Sequence, residues 1–112
     1  MQPRILTITD HPEFASLLEH HVTTVWSDAE LRRYEPASSG MLPEGFTAAG
    51  YEAVLLDHDL EGGAGLRWLD EVRRRQDFPP VLYFAATGDV VTAVQARACG
   101  ALECLARDRI DH

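Results

Sequence analysis

The sequence predicts an α/β fold with a five-stranded parallel sheet and helices on both faces. Three observations support this prediction. Apolar runs of strand length alternate with amphipathic stretches of helix length along the 112 residues. The runs at 51–56 and 81–86 are almost continuously apolar, which is typical of central parallel strands buried on both faces. Acidic and hydroxyl side chains follow several of these runs, at the sheet edge where α/β proteins bind their ligands.

The first part of the chain predicts two strands around one amphipathic helix. Residues 4–9 form a β-rich run that ends at Asp10-His11-Pro12. Apolar residues then recur at helical spacing: Phe14, Leu17, Leu18, Val22 and Val25. Residues 30–34 predict a second, edge-like strand. The segment 36–50 contains two prolines and three glycines, and it leaves room for at most a short helix after Pro43.

The second part predicts three more strands. The strand at 51–56 leads to Asp57, and Leu66, Leu69 and Val72 mark the core side of a helix that ends before Pro79-Pro80. The strand at 81–86 is followed by a turn at 87–89. In the next helix we expect core contacts from Val90, Val94 and Ala98, and an end at Gly100. Residues 102–106 predict the fifth strand, and right-handed crossovers then cover both faces of the sheet.

Composition and charge indicate a single soluble domain over residues 1–112. The net charge of -8 argues against nucleic-acid binding by this domain, and the run Arg73-Arg74-Arg75 is interpreted as a solvated helix end. Cys99 and Cys104 lack the Cys-x-x-Cys spacing of a redox or zinc site, so we expect reduced, packed thiols. A signal peptide and an apolar stretch of spanning length are both absent from the sequence, which predicts a cytoplasmic protein without membrane contact.

Four motifs occur in a specific order and spacing. They are Arg4-Ile5-Leu6 leading to Asp10-His11-Pro12, Val54-Leu55-Leu56-Asp57 with Gly65 eight positions on, Pro80-Val81 leading to Gly88-Asp89, and Gly100-Ala101 followed by Leu105. Over essentially the whole chain, this series resembles the receiver domain of two-component response regulators. The resemblance implies a flavodoxin-like sheet with strand order 2-1-3-4-5, in which a central aspartate accepts a phosphoryl group from a partner histidine kinase.

The resemblance also implies roles for four residues. Asp57 falls on the phosphoacceptor, and Asp10 falls on the second of two acids that hold Mg²⁺. Asp59 would offer its backbone carbonyl to the metal. Arg107 matches the phosphate-pairing Lys and keeps its charge on a longer, planar group. The metal matters because a carboxylate that attacks a phosphoryl group needs a hard cation such as Mg²⁺. Negative charge gathers on both reacting partners, and the cation neutralises it.

Three positions depart from the receiver pattern. Thr9 stands where the first acid is usual, which removes a negative charge and predicts weak Mg²⁺ binding. Ala85 replaces the Ser or Thr whose hydroxyl bonds the phosphoryl oxygen. Cys104 replaces the switch Tyr or Phe whose ring moves with that hydroxyl. We therefore predict a degenerate receiver-like domain that regulates an attached or partner output domain through protein contacts, with weak or uncoupled phosphorylation at Asp57.

Two other functions stay open. The first is a phosphorylation-competent receiver that accepts phosphate from a histidine kinase, since Asp57, Asp10 and a cation at Arg107 are retained. The second, of another class, is a small α/β hydrolase-type enzyme that uses Asp57, His58 or Asp59. The sequence places no nucleophile beside a base, so we predict that the chain is not an enzyme.

The chain end predicts a further departure. Receivers close with a fifth helix, but only residues 108–112 follow Arg107, which is too short for one. We therefore expect the last helix to be missing or truncated and one flank of the sheet to expose apolar surface. A following part of a larger protein, a partner or a second copy in a homodimer would cover it. The residues around Asp57 and Arg107 look like receivers placed before cyclic-dinucleotide synthesis or hydrolysis domains, which suggests that signalling pathway.

Overall fold

A computed structural model describes residues 4–36, 51–58, 60, 65–74, 79–85 and 90–106. The strands are β1 (Arg4–Ile8), β2 (Glu30–Tyr34), β3 (Ala53–Asp57), β4 (Val81–Ala85) and β5 (Glu103–Ala106), and the helices are α1 (Pro12–Val25), α2 (Gly65–Arg73) and α3 (Val90–Ala98). Within these residues, a helix lies between consecutive strands except between β2 and β3, where residues 37–50 are not described. The segment 37–50, the turn at 87–89 and the chain end after Ala106, on which predictions were made, lie outside the described residues.

The five strands form one parallel sheet in the order β2-β1-β3-β4-β5. This order and the helices on both faces confirm the predicted fold. The register pairs Ile8 with Leu56 and Asp57 with Phe84, so that the carboxyl ends of β1, β3 and β4 lie level. Strand β2 is the polar edge predicted from the sequence, because three of its five side chains are exposed.

The sheet separates two apolar clusters, because alternate side chains of a strand point to opposite faces. The first cluster lies under α2 and α3 and includes Leu6, Ile8, Val54, Leu56, Trp68, Leu69, Val72, Tyr83 and Ala96. The second lies under α1 and includes Ile5, Phe14, Leu18, Leu55 and Phe84. In the second cluster the rings of Phe14 and Phe84 meet edge to face, with centroids 5.5 Å apart.

Helix α1 begins at Pro12, whose missing N–H costs nothing in the first turn of a helix. Its predicted apolar face is buried at Phe14 and Leu18, but Val25 is 70% exposed. The physical reason is length: fourteen residues of helix span about 21 Å, whereas a five-residue strand spans about 17 Å. The last turn of α1 therefore extends past the sheet.

The predicted core contacts of α3 are wrong at two of three positions. Val94 is 62% exposed and Ala98 is also exposed, whereas Thr92 and Ala96 are buried against the sheet. The side chain of Val90 lies outside the described residues. Both sets of residues have helical spacing, so the sequence could not choose between them. The small Ala96 side chain lets the helix approach the sheet closely, and Val91 and Val94 face outward.

Gly100 terminates helix α3, as predicted, two residues after its last helical residue, Ala98. The N–H of Ala101 donates to the carbonyl of Ala96, and the N–H of Gly100 donates to that of Arg97, at 3.0 Å each. This pair of bonds is a Schellman motif, which requires a left-handed residue at Gly100; its φ is 103°. A side chain there would also meet Arg73, whose Nε lies 2.7 Å from the position of a Cβ.

Candidate functional site

The candidate site lies at the carboxyl ends of β1 and β3. Asp57 is the last residue of β3, and Thr9 follows β1 directly. Because Ile8 and Leu56 are paired, the next residues along the two strands, Thr9 and Asp57, are neighbours. Both side chains are buried, with 2% and 1% of their surface exposed. A buried carboxylate without partners would be costly, so its contacts decide what the site can do.

Thr9 makes a direct hydrogen bond to Asp57. The Thr9 hydroxyl donates to Asp57 Oδ2 at 2.7 Å, a length typical of a bond to a charged carboxylate. The same hydroxyl oxygen accepts the backbone N–H of His11 at 3.1 Å. A hydroxyl has a single proton, which is therefore directed at Asp57. From the sequence, Thr9 was only a lost charge; the hydrogen bond was missed, because it depends on the pairing of two strands 48 positions apart.

The described residues fit a divalent cation only in part. Asp10 follows Thr9 at the same edge of the sheet and is half-buried. Within the part of the chain that the structure describes, no group of three or more His, Cys, Asp or Glu side chains is arranged to hold a metal. The described site thus has two carboxylates at the same edge of the sheet, Asp10 and Asp57, and Asp57 already accepts a hydrogen bond from Thr9. Asp59 lies outside the described residues.

The predicted switch positions contain small side chains in the fold. Ala85 ends β4, is 2% exposed and is paired with Ala106 of β5. Cys104 lies on β5 opposite Tyr83 and is partly buried against the first cluster. Neither side chain carries the hydroxyl or the aromatic ring that the sequence resemblance implies for these positions. Arg107 lies outside the described residues.

A second polar contact, between Tyr83 and His58, was missed from the sequence. The Tyr83 hydroxyl lies 2.5 Å from His58 Nδ1, and the two rings meet edge to face. Burial raises the pKa of the Tyr83 phenol, and Cys104, Asp57 and Cys99 raise it further. The phenol is therefore protonated at neutral pH and can donate to His58 Nδ1. Tyrosine in a buried strand was the available signal, since a buried hydroxyl needs a partner.

The backbone of His58 extends the sheet by one residue. Its N–H donates to the carbonyl of Phe84 at 2.8 Å, and its carbonyl accepts the N–H of Leu60 at 2.9 Å. Strand alternation predicts that His58 points away from Asp57, and its contact with Tyr83 agrees with that direction.

Gly65, at the start of α2, packs against the contact between His58 and Tyr83; we call these three residues the junction between β3, β4 and α2. A Cβ at Gly65 would contact the carbonyl oxygen of His58 and lie 2.6 Å from the Tyr83 hydroxyl. Only a residue without a side chain lets α2 begin so close to the end of β3. This contact gives a physical reason for the glycine eight positions after Asp57.

No family model matches this sequence, and no curated protein matches it. Solved structures do match. A receiver domain of a DNA-binding response regulator from Colwellia psychrerythraea is 20% identical with a TM-score of 0.78, over 96% of this chain and 87% of that one. The Mn²⁺-bound form of the response regulator Rcp1 is 20% identical with a TM-score of 0.73, over 93% and 80% of the two chains. NtrX from Brucella abortus is 22% identical with a TM-score of 0.71, over 98% of this chain but 25% of that one.

At these identities the likeness shows the fold. The chain has the fold of response-regulator receiver domains, as the sequence motifs predicted, and the match covers nearly all of it. Among the described residues, no helix is both long enough and apolar enough to cross a membrane.

Proposed function

We propose that this chain is a degenerate receiver-like signalling domain of the cytoplasm. It regulates an attached or partner output domain through protein contacts, and phosphorylation at Asp57 is weak or uncoupled from that output. The observation that carries this proposal is the hydrogen bond from Thr9 to Asp57, within a receiver fold. This bond gives the buried Asp57 carboxylate a neutral partner, Thr9, at the position where receivers usually have an acid that helps to hold the metal.

The chemistry of acceptance explains why it is weak. An Asp57 oxygen would attack phosphorus, forming an O–P bond while the bond to the donor breaks and its electron pair leaves with the donor. Asp10, Asp57 and the carbonyl of Asp59 would hold Mg²⁺, which neutralises charge on the oxygens involved when it is bound. The Thr9 proton stabilises the carboxylate charge and so makes Asp57 a poorer nucleophile. Burial of Asp57 to 1% further restricts the approach of a donor.

Uncoupling follows from the small residues on β4 and β5. A phosphoryl group at Asp57 would find a methyl group at Ala85, which cannot donate a hydrogen bond. Cys104 has no ring that could rotate inward in response. We propose that Arg107 pairs with the phosphoryl group, so that the group would meet a positive charge without the usual movement of a hydroxyl and a ring.

Exposed apolar side chains support regulation through contacts. Val91 and Val94 of α3 are 67% and 62% exposed, and Leu102 and Leu105 at β5 are 61% and 37% exposed. We call these four residues, which lie on α3 and on both faces of the sheet at β5, the α3–β5 surface. Among the described residues, α1 is the one helix on the face of the sheet that carries Leu105. We propose that this surface docks an output domain or a second copy, and that the output belongs to cyclic-dinucleotide signalling.

A phosphorylation-competent receiver is the second candidate. Its support is the position of Asp57, a carboxylate at the end of a central strand in a fold shared with response regulators. In that case a histidine kinase supplies the phosphoryl group. An enzyme is not proposed, because His58 is bonded to Tyr83 and points away from Asp57.

Intact-mass spectrometry separates the two candidates. The native chain and Asp57→Asn are incubated with acetyl phosphate and Mg²⁺, and the mass and the sedimentation coefficient of each are measured. We expect little or no phosphoryl gain, and the same concentration-dependent association in both chains. Stoichiometric gain in the native chain alone, accompanied by a change in association, would establish the phosphorylation-competent receiver.

A further inference from the structure

Hydrogen bonds fix Thr9 both at its backbone N–H and at its side-chain hydroxyl. Its own backbone N–H donates to the carbonyl of Tyr34 at the end of β2, at 3.2 Å. The N–H of His11 fixes the hydroxyl oxygen, and the hydroxyl proton reaches Asp57 Oδ2. Three separate elements therefore determine where this one proton lies.

The series of hydrogen bonds from His11 through Thr9 to Asp57 also has a favourable electrostatic direction. His11 is the N-cap residue of α1, so its N–H lies at the positive end of the helix dipole. The chain of donors runs from that helix end through Thr9 to the buried carboxylate. Asp57 thus receives positive partial charge from the protein itself, without an ion.

A divalent cation would compete with this arrangement. A cation that approaches Asp57 Oδ2 along the direction of this hydrogen bond displaces the Thr9 proton, and the hydroxyl then turns while its oxygen still accepts from His11. An aspartate at position 9 would behave in the opposite way. It has no proton to donate at neutral pH, and it repels Asp57 until a cation lies between them.

We propose that Thr9 is a positioning residue that holds Asp57 in place without a divalent cation and competes with a cation for Asp57 Oδ2. This inference rests on the proposed function only in taking Asp57 as the functional carboxylate. It makes the metal-free state the organised state of the site.

The test compares Thr9→Val, Thr9→Ser and Thr9→Asp with the native chain. Mg²⁺ affinity is measured from the shifts of backbone amide signals, with Asp57→Asn as the blank, and thermal unfolding is measured in EDTA. Thr9→Val keeps the shape but loses the hydroxyl. We expect it to bind Mg²⁺ about two- to tenfold more tightly while its Tm falls by about 4 to 8 °C.

The other variants complete the pattern. Thr9→Ser keeps the hydroxyl and should match the native chain in both measurements. Thr9→Asp should bind Mg²⁺ on the order of tenfold more tightly and regain in Mg²⁺ the stability that it loses in EDTA. A residue that only fills space would lower Tm in Thr9→Val without raising Mg²⁺ affinity.

Four results would overturn the proposal. Weaker Mg²⁺ binding by Thr9→Val would make the hydroxyl a ligand of the cation. Unchanged affinity or unchanged Tm in that variant would remove the competition or the positioning. If Thr9→Val does not fold, unaltered Mg²⁺ affinity in Thr9→Asp would decide against the proposal. Efficient labelling by acetyl phosphate would contradict the proposed weak phosphorylation of Asp57. It would not change what the Mg²⁺ measurements say about Thr9.

Discussion

The hydroxyl of Tyr83 and the imidazole of His58 join the middle of β4 to the residue that follows β3. Tyr83 is fully buried, and His58 is partly exposed. Their contact therefore links the buried interior near Asp57 to a partly exposed residue at the carboxyl edge of the sheet. Gly65 packs against both residues, so the start of α2 belongs to the same junction.

Tyr83→Phe should destabilise the fold. The change keeps the ring and removes one buried hydrogen bond, which leaves His58 Nδ1 without this partner. We expect the free energy of unfolding to fall by about 1 kcal/mol, measured by urea denaturation at pH 7. Tyr51→Phe is the matched control, because the Tyr51 ring packs under Arg4 and loses only its hydroxyl. Equal losses in the two variants would mean that the contact with His58 adds nothing.

Tyr83 should also make stability fall at high pH. Its folded pKa is raised above the unfolded value of 10.0, so the folded chain holds the phenolic proton more tightly. The resulting stability is fully present below pH 10 and is lost as the pH rises above it. The slope from this group approaches about 1.4 kcal/mol per pH unit. Urea denaturation between pH 8 and 11 should show a shallower decline for Tyr83→Phe; parallel curves would contradict the assignment.

Gly65→Ala should destabilise, although alanine is the better helix former. The new Cβ would meet backbone atoms of His58, which cannot rotate away, as well as the Tyr83 hydroxyl. We expect a loss of about 1 to 3 kcal/mol by urea denaturation. In the double variant with Tyr83→Phe, one of the clashing atoms is absent, and the loss caused by alanine should be smaller. Simple additivity would show that the Tyr83 hydroxyl does not contribute to the clash.

Thr7→Val should stabilise the fold. The Thr7 hydroxyl is buried and has no hydrogen-bond partner within the described structure. Valine has the same shape and avoids this desolvation penalty, so we expect a gain of about 1 kcal/mol in the free energy of unfolding. Thr92→Val provides the comparison, since Thr92 is also buried but does have an interaction partner. Stabilisation by the second change and not the first would reverse this expectation.

Val94→Ser should weaken association without weakening the fold. Val94 is 62% exposed, so its replacement costs little core packing. If the α3–β5 surface docks a partner or a second copy, sedimentation velocity should show weaker association over a range of concentrations. Gln95→Ser, at the neighbouring exposed position, is the control. An identical effect in both would place the contact elsewhere.

The parts of the fold that sequence predicted well are those fixed by local pattern. Residues 53–57 and 81–85 are strands because their runs are too short and too continuously apolar for surface helices. Asp57 follows from the end of such a run. The face of α3 could not be predicted, because Val94 and Ala96 both fit a helical period and only packing against the sheet distinguishes them.

The contacts of the site were harder to predict for a related reason. The bond between Thr9 and Asp57 depends on the register of β1 against β3, and the bond between His58 and Tyr83 depends on that of β3 against β4. Sequence pattern gives each strand but not the level at which two strands meet. A one-residue slip would reverse every side chain and abolish both bonds.

The two edges of the sheet differ in a way that limits assembly. In β2, Arg33 is paired with Glu19 at 3.0 Å, and Glu30 lies near Arg4. Addition of another strand at this edge would therefore bring charged side chains into the contact between the two strands. The opposite edge carries Leu105 among half-buried neighbours, and its one charged residue, Glu103, is paired with Arg97 at 3.0 Å. Among the described strands, β5 is therefore the edge suited to pairing with a second copy, and two copies joined through β5 leave neither β5 edge exposed. Self-association through β5 would therefore stop at a closed pair and would not grow into a fibre.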